Sequence, residues 1–316
     1  MNQYISKMSE AINNNKIIRI KTIAEGHKAQ QLPPPAHPLI SIVNCEDMNP
    51  RAVGDPGVRI LLDLYTISLK NGCDKVPYGQ QQYDFDEGVM AFMAPNQLLG
   101  VRKNISAPQP KGWMMFIHPD FFWNTTLADK IRQYEFFDYA VNEALFLSEK
   151  EQSLINGIFD NIRQEYHSNI DKFSKQIIIT HLENLLSYAD RFYNRQFITR
   201  EKNNHQILGK LDKLLLDYFN SDDLTLKGLP TVQFISEELR ISPGYLRGLL
   251  KTLTGQSTQQ HIHDKLIEKA KEKLSATNLS VSEIAYELGF EHMQSFSKLF
   301  KQKTKQTPLE FRARFN

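Results

Sequence analysis

Residues Val232 to Ser257 read VQFISEELRISPGYLRGLLKTLTGQS, and residues Val281 to Thr307 read VSEIAYELGFEHMQSFSKLFKQKTKQT. Ile235 matches Ile284, Ser236 matches Ala285 and Leu239 matches Leu288. After a one-residue insertion in the second turn, Leu246 matches Phe296, Leu250 matches Phe300 and Lys251 matches Lys301. The two stretches are an internal repeat of one supersecondary unit.

Each copy predicts two short helices meeting across a tight turn. Ile235 and Leu239 share a helical face, and Leu246, Leu249, Leu250 and Leu253 recur at helical spacing after the turn. Ser236 and Ala285 are small, as a close helix crossing requires. Ser242-Pro243 supplies an N-cap followed by proline at the first helical position. Gly289 can take the positive φ of a helix C-cap, with Phe290 plugging the core behind it. The second recognition helix has no comparable cap, only Glu291 near its start.

Between the copies, Ser257 to Thr277 places Ile262, Leu266, Ile267, Ala270 and Leu274 at helical spacing, with no glycine or proline inside. A helix of that length is roughly 30 Å long at about 1.5 Å per residue. Major-groove segments on one face of B-DNA recur about every 34 Å. Such a helix can therefore hold two recognition helices one turn of the duplex apart.

This region resembles the DNA-binding domain of the AraC/XylS family of transcription regulators. The resemblance is carried by IAYELGF at Ile284 to Phe290, SFSKLFK at Ser295 to Lys301, and Thr307-Pro308 before Phe311-Arg312, and it covers about a third of the chain. Two positions depart from the family pattern. Lys305 stands where a glycine usually follows the second recognition helix, and Gly248 stands where the first usually has a long polar residue. The resemblance implies double-stranded DNA at a promoter or operator as partner, a small-molecule effector, a homodimer and contact with RNA polymerase. It also implies a cupin-like N-terminal partner domain, to which YDFDEGVMAFMAPNQ and GWMMFIHPDFF are loosely similar.

The chain has 316 residues, enough for two domains, and its ordinary charged and apolar fractions exclude a disordered polymer. From Arg240 onward thirteen Lys and Arg stand against seven Asp and Glu, a surplus of six, so the preceding residues carry −4 of the overall +2. A basic end suits a polyanionic partner, although a solvated surface gives the same count. Cys45 and Cys73 make neither a disulfide framework nor a zinc pattern. The N-terminus has no apolar signal core and no stretch is long enough to span a membrane, so a cytoplasmic location is expected.

Residues 1–38 are expected to be an N-terminal arm, a short helix followed by a proline-rich extended segment. Residues 39–195 are expected to be the cupin-like sensor and dimerisation domain. Its strands are read at Leu39–Val43, Val58–Leu69, Val89–Pro95, Leu98–Val101 and Trp113–Ile117, with turn-forming residues between them. That spacing suggests a small sandwich or barrel. Glu149–Tyr166 and Asp171–Tyr193 carry apolar stripes and predict a helical hairpin over 149–193, joined around His167 to Ile170. Its stripes can pack on the barrel, form a dimer interface, or do both. Residues 196–206 are charged and polar and read as a linker, and residues 207–316 as the DNA-binding domain. The expected fold class is α+β: a small cupin-like β-barrel with its hairpin, then an all-α domain of two helix-turn-helix units joined by a long helix.

Candidate DNA-reading residues are those on the recognition helices that the core does not claim. They are Tyr245, Arg247 and Lys251 in the first copy, and His292, Met293, Gln294, Ser297, Lys298 and Lys301 in the second. Arg247 or Lys298 can pair with guanine, Gln294 with adenine, and Met293 or Tyr245 can touch a thymine methyl. Lys251, Lys301 and Lys303 suit phosphates, which position without specifying.

Catalysis has little support. His27, His37 and His118 are widely separated, and His261 and His263 lie two apart on a helix, pointing roughly 200° from one another. No phosphate loop, nucleophile elbow or redox motif appears. No catalytic residue, metal ligand or cofactor is therefore assigned. Tyr65, Tyr83, Phe85, Phe92, Met93, Trp113 and Phe116 can equally form a plain core or enclose a ligand. The reading that follows is a sequence-specific transcription regulator, with an activator role expected. The alternatives are a cupin-type metal-dependent enzyme with an appended DNA-binding module, and a ligand-free DNA-binding protein controlled by a protein partner.

Overall fold

The structure is a computed structural model that describes residues 17–49, 59–71, 88–100, 111–140, 143–168, 171–221 and 223–315. The chain is mixed α+β and divides into two compact units, Met1–Gln196 and Phe197–Asn316.

The N-terminal unit holds two sheets. One has the order β1 (Ile17–Ile20), β3 (Arg59–Leu62), β6 (Gln97–Gly100). The other has the order β2 (Ile40–Asn44), β7 (Lys111–Ile117), β4 (Tyr65–Asn71), β5 (Gly88–Met93), β8 (Leu145–Leu147). The described strands are thus two open sheets, and they do not hydrogen-bond into one closed barrel.

The stretch read as one strand from Val58 to Leu69 turns a corner. Asp63 and Leu64 separate β3 from β4, and the chain passes there from the small sheet to the large one. Asp63 holds the corner: its N–H donates to the Ile20 carbonyl at 2.9 Å and its carboxylate accepts from Arg19 Nε at 2.9 Å. A second corner joins β5 to β6, where Asn96 sits at φ 67° and its N–H donates to the Leu62 carbonyl at 2.7 Å.

Strand alternation divides the large sheet into two faces. Tyr65, Ile67, Leu69, Met90, Phe92, Trp113, Met115 and Ile117 are all buried. On that face Trp113 stacks on Phe159 at 4.0 Å and donates its Nε1–H to Asn156 at 3.0 Å, while Tyr65 packs edge-on against Phe122 and Phe137. Tyr83 and Phe85 lie outside the described residues.

Two helices cover this face. Helix α2 (Glu149–His167) opens with a capping box of Ser148 and Glu151, and α3 (Ser174–Thr199) follows. Gln196 on α3 satisfies the edge next to β8, accepting from the Phe146 N–H at 2.8 Å and donating to the Ala144 carbonyl at 3.2 Å. Arg195 closes on Glu151 at 2.6 Å. Asn169 and Ile170, at the expected hairpin connection, lie outside the described residues.

Two expectations about segments change. The residues read as an arm do hold a short helix, α1 (Ile23–Gln30), with Ile23 buried, but they also include β1, which pairs in parallel with β3. The residues read as a linker at 196–206 are helical, because α3 runs to Thr199 and α4 (Glu201–Asn220) begins after Arg200. A polar composition suits a helix with one buried face as well as it suits a linker.

Candidate nucleic-acid interface

The C-terminal unit continues with α5 (Asp223–Lys227), α6 (Val232–Leu239), α7 (Pro243–Thr254), α8 (Thr258–Ala276), α9 (Val281–Glu287), α10 (Met293–Thr304) and α11 (Pro308–Arg312). Most of the starts are built by local hydrogen bonds. Thr231 and Ser242 cap α6 and α7 through their hydroxyls, and Pro243 takes the first helical position. Capping boxes open α8 (Ser257, Gln260), α9 (Ser280, Glu283) and α11 (Thr307, Glu310). The backbone N–H groups of Ser280 and Thr307 hold the Glu283 and Glu310 carboxyls below the usual carboxylate range. Helix α10 starts at His292 with no side-chain cap bond, and the Ser295 N–H turns back to the His292 carbonyl at 3.1 Å.

The two helix-turn-helix units are superimposable in their hydrogen bonds. In the first turn the N–H of Ile241 donates to the Ser236 carbonyl and that of Arg240 to Glu237. In the second, Phe290 donates to Ala285 and Gly289 to Tyr286. Arg240 and Gly289 both take the left-handed conformation, at φ 58° and 77°. Behind the turns Ile235, Leu246, Leu249 and Leu250 are buried, as are Ile284, Leu288, Phe296 and Phe300. Ser236 and Ala285, 1% and 0% exposed, are the small residues inside each unit.

Helix α8 packs against α7, α9, α10 and α11. Its Ile262, Leu266, Ile267, Ala270 and Leu274 are buried. Its 19 residues correspond to about 28 Å.

This packing leaves one side of each recognition helix to solvent. Arg247 and Lys251 on α7 are exposed. On α10 and at its start, His292, Met293, Gln294, Lys298 and Lys301 are exposed, and Ser297 is half-buried.

Two sequence-selected residues are placed otherwise. Tyr245 is 6% exposed and its ring sits edge-on against Phe197 at 5.0 Å, so it serves the domain interior and not a thymine methyl. Phe197 lies far away in sequence, and nothing local to Tyr245 signals the contact. Lys303 was grouped with the phosphate-facing lysines, but its ammonium meets Asp264 of α8 at 2.6 Å. Asp264 also accepts from Gln256 Nε2 at 3.0 Å. One carboxylate thus ties the segment after the first recognition helix to the second recognition helix.

The histidines have separate local roles. His27 bonds the Pro33 carbonyl and the Ser41 hydroxyl, His37 packs edge-on against Phe121, and His118 accepts from the Asp120 N–H. His261 bonds Thr254 at 3.0 Å and His263 bonds Gln259 at 3.0 Å. Among the described residues no three His, Cys, Asp or Glu side chains cluster as metal ligands, and no helix is long and apolar enough to cross a membrane.

A family model described as a helix-turn-helix domain matches residues 235–314. The transcriptional regulatory protein YesN of Bacillus subtilis is 33% identical over 108 residues, which are 34% of this chain and 28% of YesN. Histidine kinase P4 of Formosa agariphila is 26% identical over 140 residues, 43% of this chain and 10% of the kinase. This chain therefore spans well under two thirds of both relatives. Among solved structures, the C-terminal domain of the response regulator yesN from Fusobacterium nucleatum is 30% identical, covering 33% of this chain and 95% of that domain, with a TM-score of 0.29.

Proposed function

We propose that this chain, which carries an AraC-type helix-turn-helix domain in its C-terminal unit, is a transcription regulator that reads double-stranded DNA through both recognition helices. The observation that carries this is the repeat itself. Two units with matched turns each present a cationic face, Arg247 and Lys251 on α7 and Lys298 and Lys301 on α10; Lys251 and Lys301 fall at equivalent positions, and all four side chains are exposed. Side chains near the start of a recognition helix reach base edges, and those further along meet phosphates. In this reading Arg247, Met293, Gln294 and Lys298 select bases, Ser297 and His292 support them, and Lys251 and Lys301 hold the backbone. The uncapped start of α10 supplies further N–H donors to a phosphate.

The N-terminal unit is the cupin-like sensor and dimerisation part of this proposal, acting in the cytoplasm with a second copy of the chain and with RNA polymerase. A ligand that binds one arrangement of the protein better than another shifts the population competent to bind DNA.

The test is selection of bound sequences from a random DNA pool by the full-length protein, followed by titration of the selected and scrambled duplexes at several salt concentrations. Recovery of a common sequence bound at least about 1,000-fold tighter than scrambled DNA supports the reading. Equal affinity for both at every salt concentration would overturn it.

A further inference from the structure

We propose that the N-terminal unit binds a small, uncharged, mainly apolar molecule bearing one O–H or N–H group, in a cavity between its two sheets. This rests on the reading of that unit as a sensor and names what it senses.

The cavity measures about 190 Å³. Ile20, Ile60 and Leu62 of the small sheet, Ile23 of α1, and Met93 and Phe116 of the large sheet form its apolar walls. Strand β4 turns its second face inward, so that Thr66, Ser68 and Lys70 line one side. Small-molecule sites have this composition: apolar walls with a few convergent polar groups.

Two polar atoms decide the ligand's chemistry. Thr66 is 4% exposed and its Oγ1 has no partner among the described residues, and Gln30 Oε1 is likewise buried without one. Buried polar atoms are nearly always paired, so both mark places where a bound group completes the bonding. As oriented, Gln30 Oε1 only accepts, so a ligand group that faces it donates. His27 also lines the cavity, but its two ring nitrogens are engaged by Pro33 and Ser41 at 2.5 and 2.6 Å.

Size and charge narrow the class further. An apolar cavity of about 150 Å³ accepts benzene, so this one has room for a ring with a substituent. Apolar walls strip water from a charged ligand, and an acceptor at Gln30 Oε1 repels a carboxylate; among the described residues Lys70 is the one lining residue with a permanent charge, and p-toluate tests whether it pairs with an anion. A neutral phenol or indole-like molecule fits both conditions.

The experiment uses full-length protein without DNA, with p-cresol, toluene and p-toluate as probes in calorimetry and thermal unfolding. The expected result is that p-cresol binds and raises the melting midpoint, toluene binds about tenfold more weakly, and p-toluate does not bind. Gln30→Met should bring p-cresol down to the level of toluene and leave toluene unchanged. Gly26→Leu should abolish binding of both while circular dichroism stays native, because a Cβ at Gly26 meets only Ile20 Cγ2, at 3.7 Å, and the position lines the cavity. The proposal is overturned if no probe binds at millimolar concentration, if toluene equals p-cresol, if p-toluate binds best, or if a natively folded Gly26→Leu still binds. None of these readouts involves DNA, so their failure is distinct from a failure of sequence selection.

Discussion

Gly255 and Lys305 are the same position in the two copies of the repeat. Each follows a recognition helix, each takes the left-handed conformation, at φ 72° and 64°, and each donates its N–H to the carbonyl of a lysine four residues earlier, Lys251 at 3.1 Å and Lys305's partner Lys301 at 2.8 Å. The turn position shows the opposite allocation, with Arg240 in the first unit and Gly289 in the second. Each unit therefore holds one glycine and one strained side chain at its two left-handed positions.

Lys305→Gly should stabilise the C-terminal unit by about 1 kcal/mol, because a Cβ in the left-handed region costs on the order of 1–2 kcal/mol and glycine's extra chain entropy offsets part of it. Urea unfolding of the full-length protein checks this through the midpoint at constant slope. An unchanged or lowered midpoint contradicts the account.

Gly289→Ala should cost more than Arg240 costs its own unit, on the order of 3 kcal/mol. A Cβ at Gly289 lies 2.8 Å from the Leu224 carbonyl oxygen and 3.2 Å from Gly228 Cα, so crowding against α5 adds to the strain. The same urea titration reads the effect.

Lys301→Ala should weaken binding to all DNA sequences and lower the slope of log K against log salt by roughly one, the effect of one lost phosphate contact. Lys303→Ala should leave that slope nearly unchanged, since its charge is already matched by Asp264. Equal slope changes for the two variants would place both ammonium groups on phosphates.

Gln294→Ala and Arg247→Ala should relax discrimination at one base pair by about 1–3 kcal/mol with a smaller loss on scrambled DNA. Tyr245→Ala should instead lower the melting temperature, because truncating a buried aromatic side chain costs about 3–5 kcal/mol. Competition titrations with single-base variants separate the two kinds of effect.

The C-terminal unit should lose stability as the pH falls below about 6.5, the ordinary histidine value. Burial lowers the pKa of both His261 and His263 and outweighs the opposing pull of Asp264 on both and of Asp212 on His261, while Lys303 lowers both further. Below that pH the unfolded chain takes up protons that the folded unit does not, so the stability present above it is progressively lost. His261→Gln with His263→Gln should flatten the dependence of the urea midpoint between pH 7.5 and 5.5.

The helices of the C-terminal unit were legible because capping and helical periodicity act within one or two turns. Ser242-Pro243 marks a helix start where the structure has it, and the helical spacing read over Ser257 to Thr277 is α8. Several strands were legible individually, but β1 and β8 were not, and neither were the sheets. A run such as Val58 to Leu69 has uninterrupted strand character, and its break at Asp63 depends on Arg19 and Ile20, more than forty residues earlier.

By itself the sequence determined that a helix-turn-helix unit occurs twice, where the first recognition helix begins, and which faces of the helices are apolar, since each of these follows from neighbours along the chain. The tertiary structure alone decided that Tyr245 turns inward onto Phe197, that Lys303 spends its charge on Asp264, and that Thr66 and Gln30 line one cavity. Those outcomes depend on pairings between distant segments, and the contacts that a side chain finds across such pairings decide whether it reads DNA, braces a helix or lines a pocket.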